Sequence, residues 1–312
     1  MKTPNFPFIN KFFSLFSYDI GIDLGTANTL VFVKDKGIVI REPSIVARHK
    51  KSKKIIAIGS EAKKMLGKTP MSIQTIRPLR GGVIADFDAT EAMISHYIKQ
   101  VHEIGNPLPR LLASPRVVIG IPSSVTEVER RAVWEAALGA GARQAYLIEE
   151  PMAAAIGENI SVFQSKGVMV VDIGGGTTEI AVISLGGIVV GRSIKLAGDD
   201  MDQGILHYIR LRHGLLLGEK TVEDIKIKIG SAYHVRKSDV RRQNSENSED
   251  KDLKSEIRNP KSENMMIVRG RDIETGLPRS LRISESEVRE SLSPILTQII
   301  QAVADVLEET PP

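Results

Sequence analysis

The chain has 312 residues, of which 42% are hydrophobic and 26% charged, and its formal net charge is +4. This composition is ordinary for a globular protein, and the length is enough to bury a large core and form about two domains. The absence of cysteine excludes disulfides and thiolate chemistry. No run of about 18 apolar residues is present to span a membrane. The basic charge is too small and too scattered to predict nucleic-acid binding.

The first segment of the chain is rich in phenylalanine. Ile9, Phe12, Phe13 and Phe16 follow the i, i+3, i+4, i+7 spacing of one helix face. A secretory signal would need a longer apolar stretch and a small-residue cleavage site, and the segment has neither. We predict that residues 1–17 form an amphipathic segment that binds a membrane surface. The alternative is a helix docked on the protein's own body.

A polar turn separates the next two apolar runs. Residues 18–22 and 30–33 are β-prone, and the turn Asp23-Leu24-Gly25-Thr26-Ala27-Asn28-Thr29 lies between them, which predicts a hairpin. The segment from about 44 to 82 is interpreted as a small subdomain inserted in the first half. Within it, residues 67–69 (GKT) imitate the end of a P-loop, but the pattern requires a glycine at position 62, which is Ala62.

Helix signals dominate the following stretch. A helix is expected at 88–100 and a buried strand at 116–120. Thr126-Glu127-Val128-Glu129 is a capping box that opens a helix ending near Gly139. Pro151 fits the first turn of another helix, so Glu150 lies at its start. Glutamates there usually serve as dipole partners or caps, but this helix lies between two hairpins in sequence, so Glu150 could instead point into a cleft.

The second hairpin is predicted at 168–183. Its apolar run ends in Asp172, and Gly174, Gly175 and Gly176 follow before the next β-prone run. Three glycines leave backbone N–H groups open to an anion, and Asp172 is placed to meet a cation held by that anion. A flexible glycine linker is the alternative, but the strand-like runs on both sides disfavour it.

The two hairpins resemble each other. Asp23 and Asp172 are 149 positions apart, and the sequence GIVI at 37–40 is echoed by GIVV at 187–190. An internal repeat on this scale predicts two related halves. Two such hairpins facing each other would hold a polyphosphate and its metal ion in a cleft.

The rest of the second half contains helices and one segment of different composition. Glu223 and Lys226 share a helix face, where they form either a surface ion pair or a grip on a ribose. Residues 236–264 are dense in charged and small polar residues and are predicted to be a disordered insertion. A last helix is expected to begin near Ser293-Pro294, with a buried stripe at Ile295, Ile299, Val303 and Val306. The six histidines have no metal-ligand spacing.

Together these motifs resemble the actin/Hsp70/sugar-kinase ATPase superfamily and, within it, the MreB family of bacterial actins. The similarity covers nearly the whole chain except 236–264. It rests on the stretches IDLGTANTLV (22–31), EEPMAAAIG (149–157), VDIGGGTTEIAV (171–182), GGIVVGRSIKLAGDDMD (186–202) and GRDIETGLPR (270–279).

The resemblance implies an α/β actin-like ATPase fold with two related RNase H-like halves around a nucleotide cleft. The first half would cover 18–158, and the second 159–312, with a subdomain inserted at 197–282. The implied ligands are ATP and Mg²⁺. Asp23 and Asp172 would hold Mg²⁺ through waters, Glu150 would orient the attacking water, and Thr177 would assist. The implied nucleotide contacts are Gly25, Thr26, Ala27, Asn28, Gly174, Gly175 and Gly176 for the phosphates and Glu223, Asp224, Ile225 and Lys226 for the nucleoside.

The implied function is structural. Subunits would hydrolyse ATP slowly and stack head to tail into filaments on the inner face of the plasma membrane, where they organise the wall-synthesis machinery of rod-shaped cells. In the family a further strand, an adenine-binding Gly-Gly turn and closing helices follow the last helix, whereas the last glycine here is Gly276. The C-terminal part is therefore expected to be missing, with weakened adenine binding.

Three alternatives compete with the filament-forming interpretation. A truncated, non-polymerising nucleotide-binding regulator is the strongest. An Hsp70-type chaperone would need a peptide-binding domain that this length does not accommodate. A sugar or acetate kinase would give no reason for the phenylalanine-rich start.

Overall fold

The computed structural model describes residues 19–103, 114–233 and 264–311. The chain divides into two compact units, one of Met1–Gly198 with Ala302–Pro312 and one of Asp199–Gln301. The predicted amphipathic segment at 1–17 and residues 236–263 of the predicted insertion lie outside the described residues. Among the helices of the described ranges, none has the length and apolar character needed to cross a bilayer.

The first unit contains most of the strands and four of the helices of the described chain. Its strands are β1 (Asp19–Leu24), β2 (Asn28–Val33), β3 (Gly37–Pro43), β4 (Val46–His49), β5 (Ile55–Ile58), β6 (Ile73–Ile76), β7 (Leu79–Arg80), β8 (Val83–Ile84), β9 (Arg116–Ile121), β10 (Gln144–Glu149), β11 (Val168–Ile173), β12 (Thr178–Ser184) and β13 (Gly187–Ile194). Its helices are α1 (Ser60–Met65), α2 (Phe87–Glu103), α3 (Glu127–Gly139) and α4 (Glu150–Gly157).

A five-stranded mixed sheet, in the order β10-β9-β1-β2-β3, forms the centre of this unit. The strand β1 pairs antiparallel with β2 and parallel with β9, and β9 pairs parallel with β10. Alternate residues of β1, namely Ile20, Ile22 and Leu24, are buried in one core with Tyr97 of α2 and Val133 of α3. Alternate residues of β1 point to one face of the sheet, and residues on one side of each helix pack against that face. This face of the sheet is therefore buried.

A second sheet of the same unit repeats the start of the first. It is antiparallel, in the order β11-β12-β13. In both sheets the pairing between the second and third strands contains a register shift, at Val31/Phe32 in the first and at Val182/Ile183 in the second. The central strand β12 is buried on both faces, against Ala155 of α4 on one side. The structure thus confirms the predicted hairpins and their repetition.

The predicted subdomain at 44–82 contains a small sheet of its own. The strands are ordered β5-β4-β6. Ala62 of α1 packs with Ile45 and Ala47 in a small core beneath it. The short hairpin of β7 and β8 follows and returns the chain to α2.

The second unit combines helices with a small antiparallel sheet. Its elements are α5 (Gly198–His213), β14 (Leu215–Leu216), α6 (Glu219–Ile229), β15 (Met265–Asp272), β16 (Pro278–Ser284) and α7 (Glu285–Glu309), of which α7 continues into the first unit from Ala302. The sheet order is β14-β15-β16, and its core contains Ile209, Val222, Ile225, Val268 and Leu292.

Of two helix starts predicted from the sequence, at Thr126 and near Ser293-Pro294, one is confirmed and the other is wrong. The predicted capping box at Thr126 and Glu129 is confirmed. The prediction that the last helix begins near Ser293-Pro294 is wrong, because α7 begins at Glu285 and contains Pro294. Glu287 N donates to Ser284 Oγ at 3.3 Å and Ser284 N donates to the Glu287 carboxylate at 3.0 Å. This reciprocal cap stabilises the helix start nine residues earlier, so Pro294 costs an interior hydrogen bond without ending the helix.

Candidate functional site

The two predicted turns lie in direct contact within the first unit. A Cβ built on Gly175 would lie 2.5 Å from Ala27 Cβ and 3.0 Å from Ala27 N. A Cβ on Gly176 would lie 2.7 Å from Thr26 Oγ1. Contacts of this length are too close for a side chain, so the glycines allow the two backbones to approach. The predicted arrangement of two facing hairpins is confirmed.

The two turns also make corresponding internal contacts. A Cβ on Gly25 would lie 2.5 Å from Asn28 O, and one on Gly174 would lie 3.2 Å from Thr177 O. Gly25 and Asn28 stand 149 positions before Gly174 and Thr177, the same offset as the two aspartates. The repeat therefore extends from sequence to backbone conformation.

Each turn is held from behind by the segment that follows its third strand. Ser44 is fully buried; its N–H donates to Ala27 O at 3.0 Å and its hydroxyl donates to Gly25 O at 2.6 Å. In the second half, Gly198 N donates to Gly174 O at 3.1 Å. Sequence reasoning missed this role of Ser44. Its position as a polar residue directly before the apolar run Ile45-Val46-Ala47 was the available signal.

A third loop joins the two turns. Gly82 N donates to Thr26 Oγ1 at 3.1 Å, and a Cβ on Gly82 would lie 3.1 Å from Thr177 Cγ2. Gly82 has a φ of +75°, a conformation that glycine adopts without strain. The loop after β7 thus packs against one threonine from each turn.

The predicted acidic residues converge at the carboxyl end of the parallel strands. Asp23 is paired with Gly120 in the register of β1 and β9. Glu150, the first residue of α4, has its Cγ 3.5 Å from the position of a Cβ on Gly120. Ligands of open α/β sheets bind outside this edge. Glu150 is therefore close to Gly120 and to the charges of Asp23 and Asp172, and its orientation into a cleft stays a prediction.

Burial and mutual repulsion perturb these carboxyl groups. Burial, with a contribution from the Asp172 charge, raises the pKa of Asp23 to about 6. Burial, together with the charges of Asp23, Glu179 and Asp172, raises the pKa of Glu150 to about 8. Burial also raises the pKa of Asp172. A cation bound beside these carboxylates would offset their repulsion and lower their pKa values.

Asp23 and Asp172 fit Mg²⁺ better than a cation whose ligands all come from the protein. Among the residues that the structure describes, no group of three or more His, Cys, Asp or Glu side chains is arranged to hold a metal ion directly. Mg²⁺ keeps several waters and is usually bound by one or two carboxylates together with substrate phosphates. Asp23 and Asp172 supply two carboxylates beside two turns suited to phosphate.

Glu179 is a buried carboxylate that sequence reasoning missed. It is 1% exposed and lies opposite Asp172 in the pairing of β11 with β12. Ser123 N, in the loop after β9, donates to its carboxylate at 3.1 Å, and the Ser193 hydroxyl of β13 donates to its other oxygen. Glu179 therefore ties the loop of the first sheet to the second sheet. An acidic residue inside the apolar run of β12 was the signal.

The predicted nucleoside contacts lie on α6, in the second unit. Lys226 Nζ forms an ion pair with Asp202 Oδ1 of α5 at 2.9 Å. Burial, with a smaller contribution from the negative charge of Glu223, raises the pKa of Asp202. The side chain of Ile225 is buried in the core of this unit. Lys226 is thus paired with the preceding helix, and the nucleoside role of Glu223, Asp224, Ile225 and Lys226 stays a prediction.

Comparison with known proteins places the chain in one family. The family model described as MreB/Mbl protein matches residues 17–244 and 240–312. The chain belongs to the MreB/Mbl family. Members of known name include the cell shape-determining protein Mbl of Bacillus subtilis strain 168, which is 47% identical over 298 residues, covering 96% of this chain and 80% of Mbl. The cell shape-determining protein MreB of Escherichia coli K12 is 47% identical over 308 residues, covering 97% of this chain and 80% of MreB.

Solved structures of the MreB/Mbl family support the same fold. The crystal structure of MreB5 of Spiroplasma citri bound to ADP matches with a TM-score of 0.80 and 36% identity, covering 95% of this chain and 80% of MreB5. A second structure of MreB5 is bound to AMPPNP and matches equally well. The chain therefore has the actin-like ATPase fold.

Proposed function

We propose that this chain is an ATP-dependent cytoskeletal protein that forms membrane-associated filaments, organises cell-wall synthesis and maintains rod cell shape. The observation that carries the proposal is the contact between Gly175 and Ala27, which joins two glycine turns beside three acidic side chains. MreB5, a relative with the same fold, is bound to ADP in one structure and to AMPPNP in another. The curated relatives Mbl and MreB are named cell shape-determining proteins.

In this proposal the turns supply the phosphate contacts. Backbone N–H groups within 25–28 and 174–176 would donate to a bound polyphosphate where the glycines leave them uncovered by side chains. Asp23 and Asp172 would hold Mg²⁺ through its waters, and the ion would neutralise charge on the phosphates. These residues orient the triphosphate for in-line attack at its terminal phosphorus.

Glu150 and Thr177 would carry the catalytic roles of a slow ATPase. Glu150 accepts a hydrogen bond from the attacking water, and Thr177, which is buried beside Gly82, fixes the turn next to it. With its pKa raised to about 8, Glu150 would be largely protonated at neutral pH in the absence of a bound cation. A Mg²⁺ ion held by Asp23 and Asp172 would lower that pKa and so favour the ionised form, which accepts a hydrogen bond from water.

The phenylalanine-rich segment at 1–17 would place the filament on the inner face of the plasma membrane. One short amphipathic helix binds lipid weakly, but helices repeated along a filament bind together. A head-to-tail contact between subunits does not close and so produces a filament. The partners are then further copies of the chain, the membrane surface and the wall-elongation machinery.

Electron microscopy with ATP, Mg²⁺ and anionic liposomes tests the proposal. We expect filaments on the liposome surface with the full chain and unattached filaments after deletion of residues 1–17. Monomers under all conditions would favour a non-polymerising nucleotide-binding regulator, and lipid binding that survives the deletion would remove the anchor.

A further inference from the structure

The two proposed catalytic residues belong to different sheets of the first unit. Thr177 directly precedes β12 of the second sheet, whereas Glu150 directly follows β10 of the first. Glu150 Cγ lies 3.5 Å from the position of a Cβ on Gly120, near the end of the neighbouring strand β9. Among the described strands, no pairing joins the two sheets. The separation of Glu150 and Thr177 therefore depends on other contacts between the end of β9 and β12.

Glu179 makes such a contact. Its side chain is contributed by β12, two positions after Thr177, and is buried. Ser123 N, two residues past the end of β9, donates to the Glu179 carboxylate at 3.1 Å. Because the donor is a backbone group, this hydrogen bond holds the chain itself rather than a side chain that could rotate. Burial strengthens the bond by keeping it in a medium of low dielectric constant.

The residue before Ser123 makes a second contact with the same site. A Cβ on Gly82 would lie 2.5 Å from Pro122 Cγ and 3.1 Å from Thr177 Cγ2, so Gly82 is packed between Pro122 and Thr177. The loop after β9 thus reaches the second sheet twice. Ser123 reaches it through Glu179, and Pro122 reaches it through Gly82.

The other hydrogen bond of Glu179 stays within the second sheet. Ser193 of β13 lies opposite Glu179 in the strand pairing, and its hydroxyl donates to the second carboxylate oxygen. An apolar residue would suit the interior of β12 without the cost of burying a carboxylate. The benefit of glutamate at this position is therefore a pair of acceptor oxygens, one for each sheet.

We propose that Glu179 is a positioning residue, which fixes the end of β9 against β12 and thereby sets the separation of Glu150 and Thr177. It acts through Ser123 and Pro122, so its role requires no contact with the nucleotide. The effect on hydrolysis rests on the proposed ATPase function, whereas the link between the two sheets does not.

Substitutions of Glu179 separate the hydrogen bonds from the charge. In Glu179→Leu, Ser123 N loses its acceptor. In Glu179→Gln, the amide oxygen still accepts from Ser123 N, and the Ser193 hydroxyl can rotate to accept from the amide nitrogen. Ser193→Ala is the matched control, because it removes the other hydrogen bond of the same carboxylate and leaves the loop after β9 attached. Thermal melts verify folding, and Glu179→Met, unbranched and adaptable in a core, replaces the leucine variant if that one does not fold.

Hydrogen exchange of the Ser123 amide, measured by NMR on the full chain without nucleotide, tests the link. We expect this amide to exchange at least about tenfold faster in Glu179→Leu than in the wild type, Glu179→Gln or Ser193→Ala, because a lost hydrogen bond lowers local protection. The Thr126 amide, which donates to Glu129, is the internal reference and should keep its rate in every variant. Equal exchange of the Ser123 amide in the wild type and Glu179→Leu would overturn the link.

Hydrolysis at saturating ATP and Mg²⁺, measured together with the Kd for ATP, tests the positioning role. Since a misplacement of about 1 Å can cost about a hundredfold in rate, Glu179→Leu should lower kcat at least about tenfold with little change in Kd. Glu179→Gln should restore most of the rate, and Ser193→Ala should stay close to the wild type.

The outcomes that would overturn the positioning role are distinct from failure of the proposed function. Equal proportional losses of hydrolysis and binding in Glu179→Leu would show a structural role only. A loss of rate in Glu179→Gln as large as in Glu179→Leu would assign the effect to the charge. A wild type that binds ATP without hydrolysing it would overturn the proposed ATPase, and the exchange of the Ser123 amide would still decide the link between the sheets.

Discussion

Gly175 of the second turn lies against Ala27 of the first so closely that an added Cβ would be 2.5 Å from Ala27 Cβ. The turns are contributed by two halves of one internal repeat, and their separation is therefore set by the smallest possible residue. Any side chain at position 175 must push the two turns apart. The distance between the two turns that are proposed to bind phosphate therefore depends on this contact.

Gly175→Ala should weaken nucleotide binding at least about tenfold and destabilise the fold by roughly 1–3 kcal/mol, the usual cost of overpacking. The matched control is Gly187→Ala, since a Cβ there meets no atom within 4 Å. Titration with a fluorescent ATP analogue and thermal melts measure the two effects. Unchanged affinity in Gly175→Ala would show that the turns do not bind the phosphates together.

Ser44→Ala should also weaken binding, although Ser44 lies behind the first turn. The substitution leaves Gly25 O without its 2.6 Å hydrogen bond from the hydroxyl of Ser44, which is fully buried. A lost buried hydrogen bond of this kind costs about 1–3 kcal/mol. Ser184→Ala is the control, since the Ser184 hydroxyl donates to Ser165 O at an exposed position. If nucleotide affinity is the same in both variants, Ser44 serves folding only.

Local sequence signals were sufficient for much of the fold. A turn of aspartate and glycine between β-prone runs defines each hairpin, and Thr126 with Glu129 defines a helix start, because these patterns act over a few residues. The start of α7 was missed although the same cap chemistry is present at Ser284 and Glu287. Pro294 was given too much weight, since a proline inside a long, well-packed helix can be tolerated.

The internal repeat made one part of the site predictable. Asp23 and Asp172 were recognised because they occur twice in the same context, and their turns do meet. Ser44, Gly82 and Glu179 act through contacts with residues 19, 56 and 56 positions away. Local sequence marks Ser44 and Glu179 as polar residues beside or inside apolar runs, but it does not identify these distant partners. The pairing of Lys226 with Asp202 is likewise a contact between two helices, which helix periodicity alone does not specify.

Lys226→Met should separate nucleoside binding from phosphate binding. If Lys226 contacts the nucleoside, the variant loses affinity for ATP and ADP but not for inorganic tripolyphosphate. Lys228→Met, at an exposed position of the same helix, is the control for lost charge. The substitution also leaves Asp202 without its 2.9 Å ion pair, so thermal melts are needed to show that the variant is folded. Equal losses for ATP and tripolyphosphate would contradict a nucleoside role.

The raised pKa of Glu150 predicts how stability depends on pH. In the native protein the carboxyl keeps its proton up to about pH 8, whereas in the unfolded chain it loses it near the ordinary value of 4.5. Between these values the native state binds more protons, so the free energy of unfolding falls as pH rises. Asp23, with a pKa of about 6, contributes in the same direction at lower pH.

Glu150→Gln removes this loss because glutamine does not ionise. The variant should therefore gain stability relative to the wild type as pH rises from 4.5 to 8, by at most about 5 kcal/mol for a shift of this size. Urea unfolding at a series of pH values measures the difference, and Glu158→Gln, at the exposed end of the same helix, should follow the wild type. Parallel curves for the wild type and Glu150→Gln would mean that Glu150 is ionised in the native protein at neutral pH. Under that outcome, binding of Mg²⁺ and ATP at pH 7 would release no proton from Glu150. Calorimetry in buffers of different ionisation enthalpy measures the number of protons released on binding.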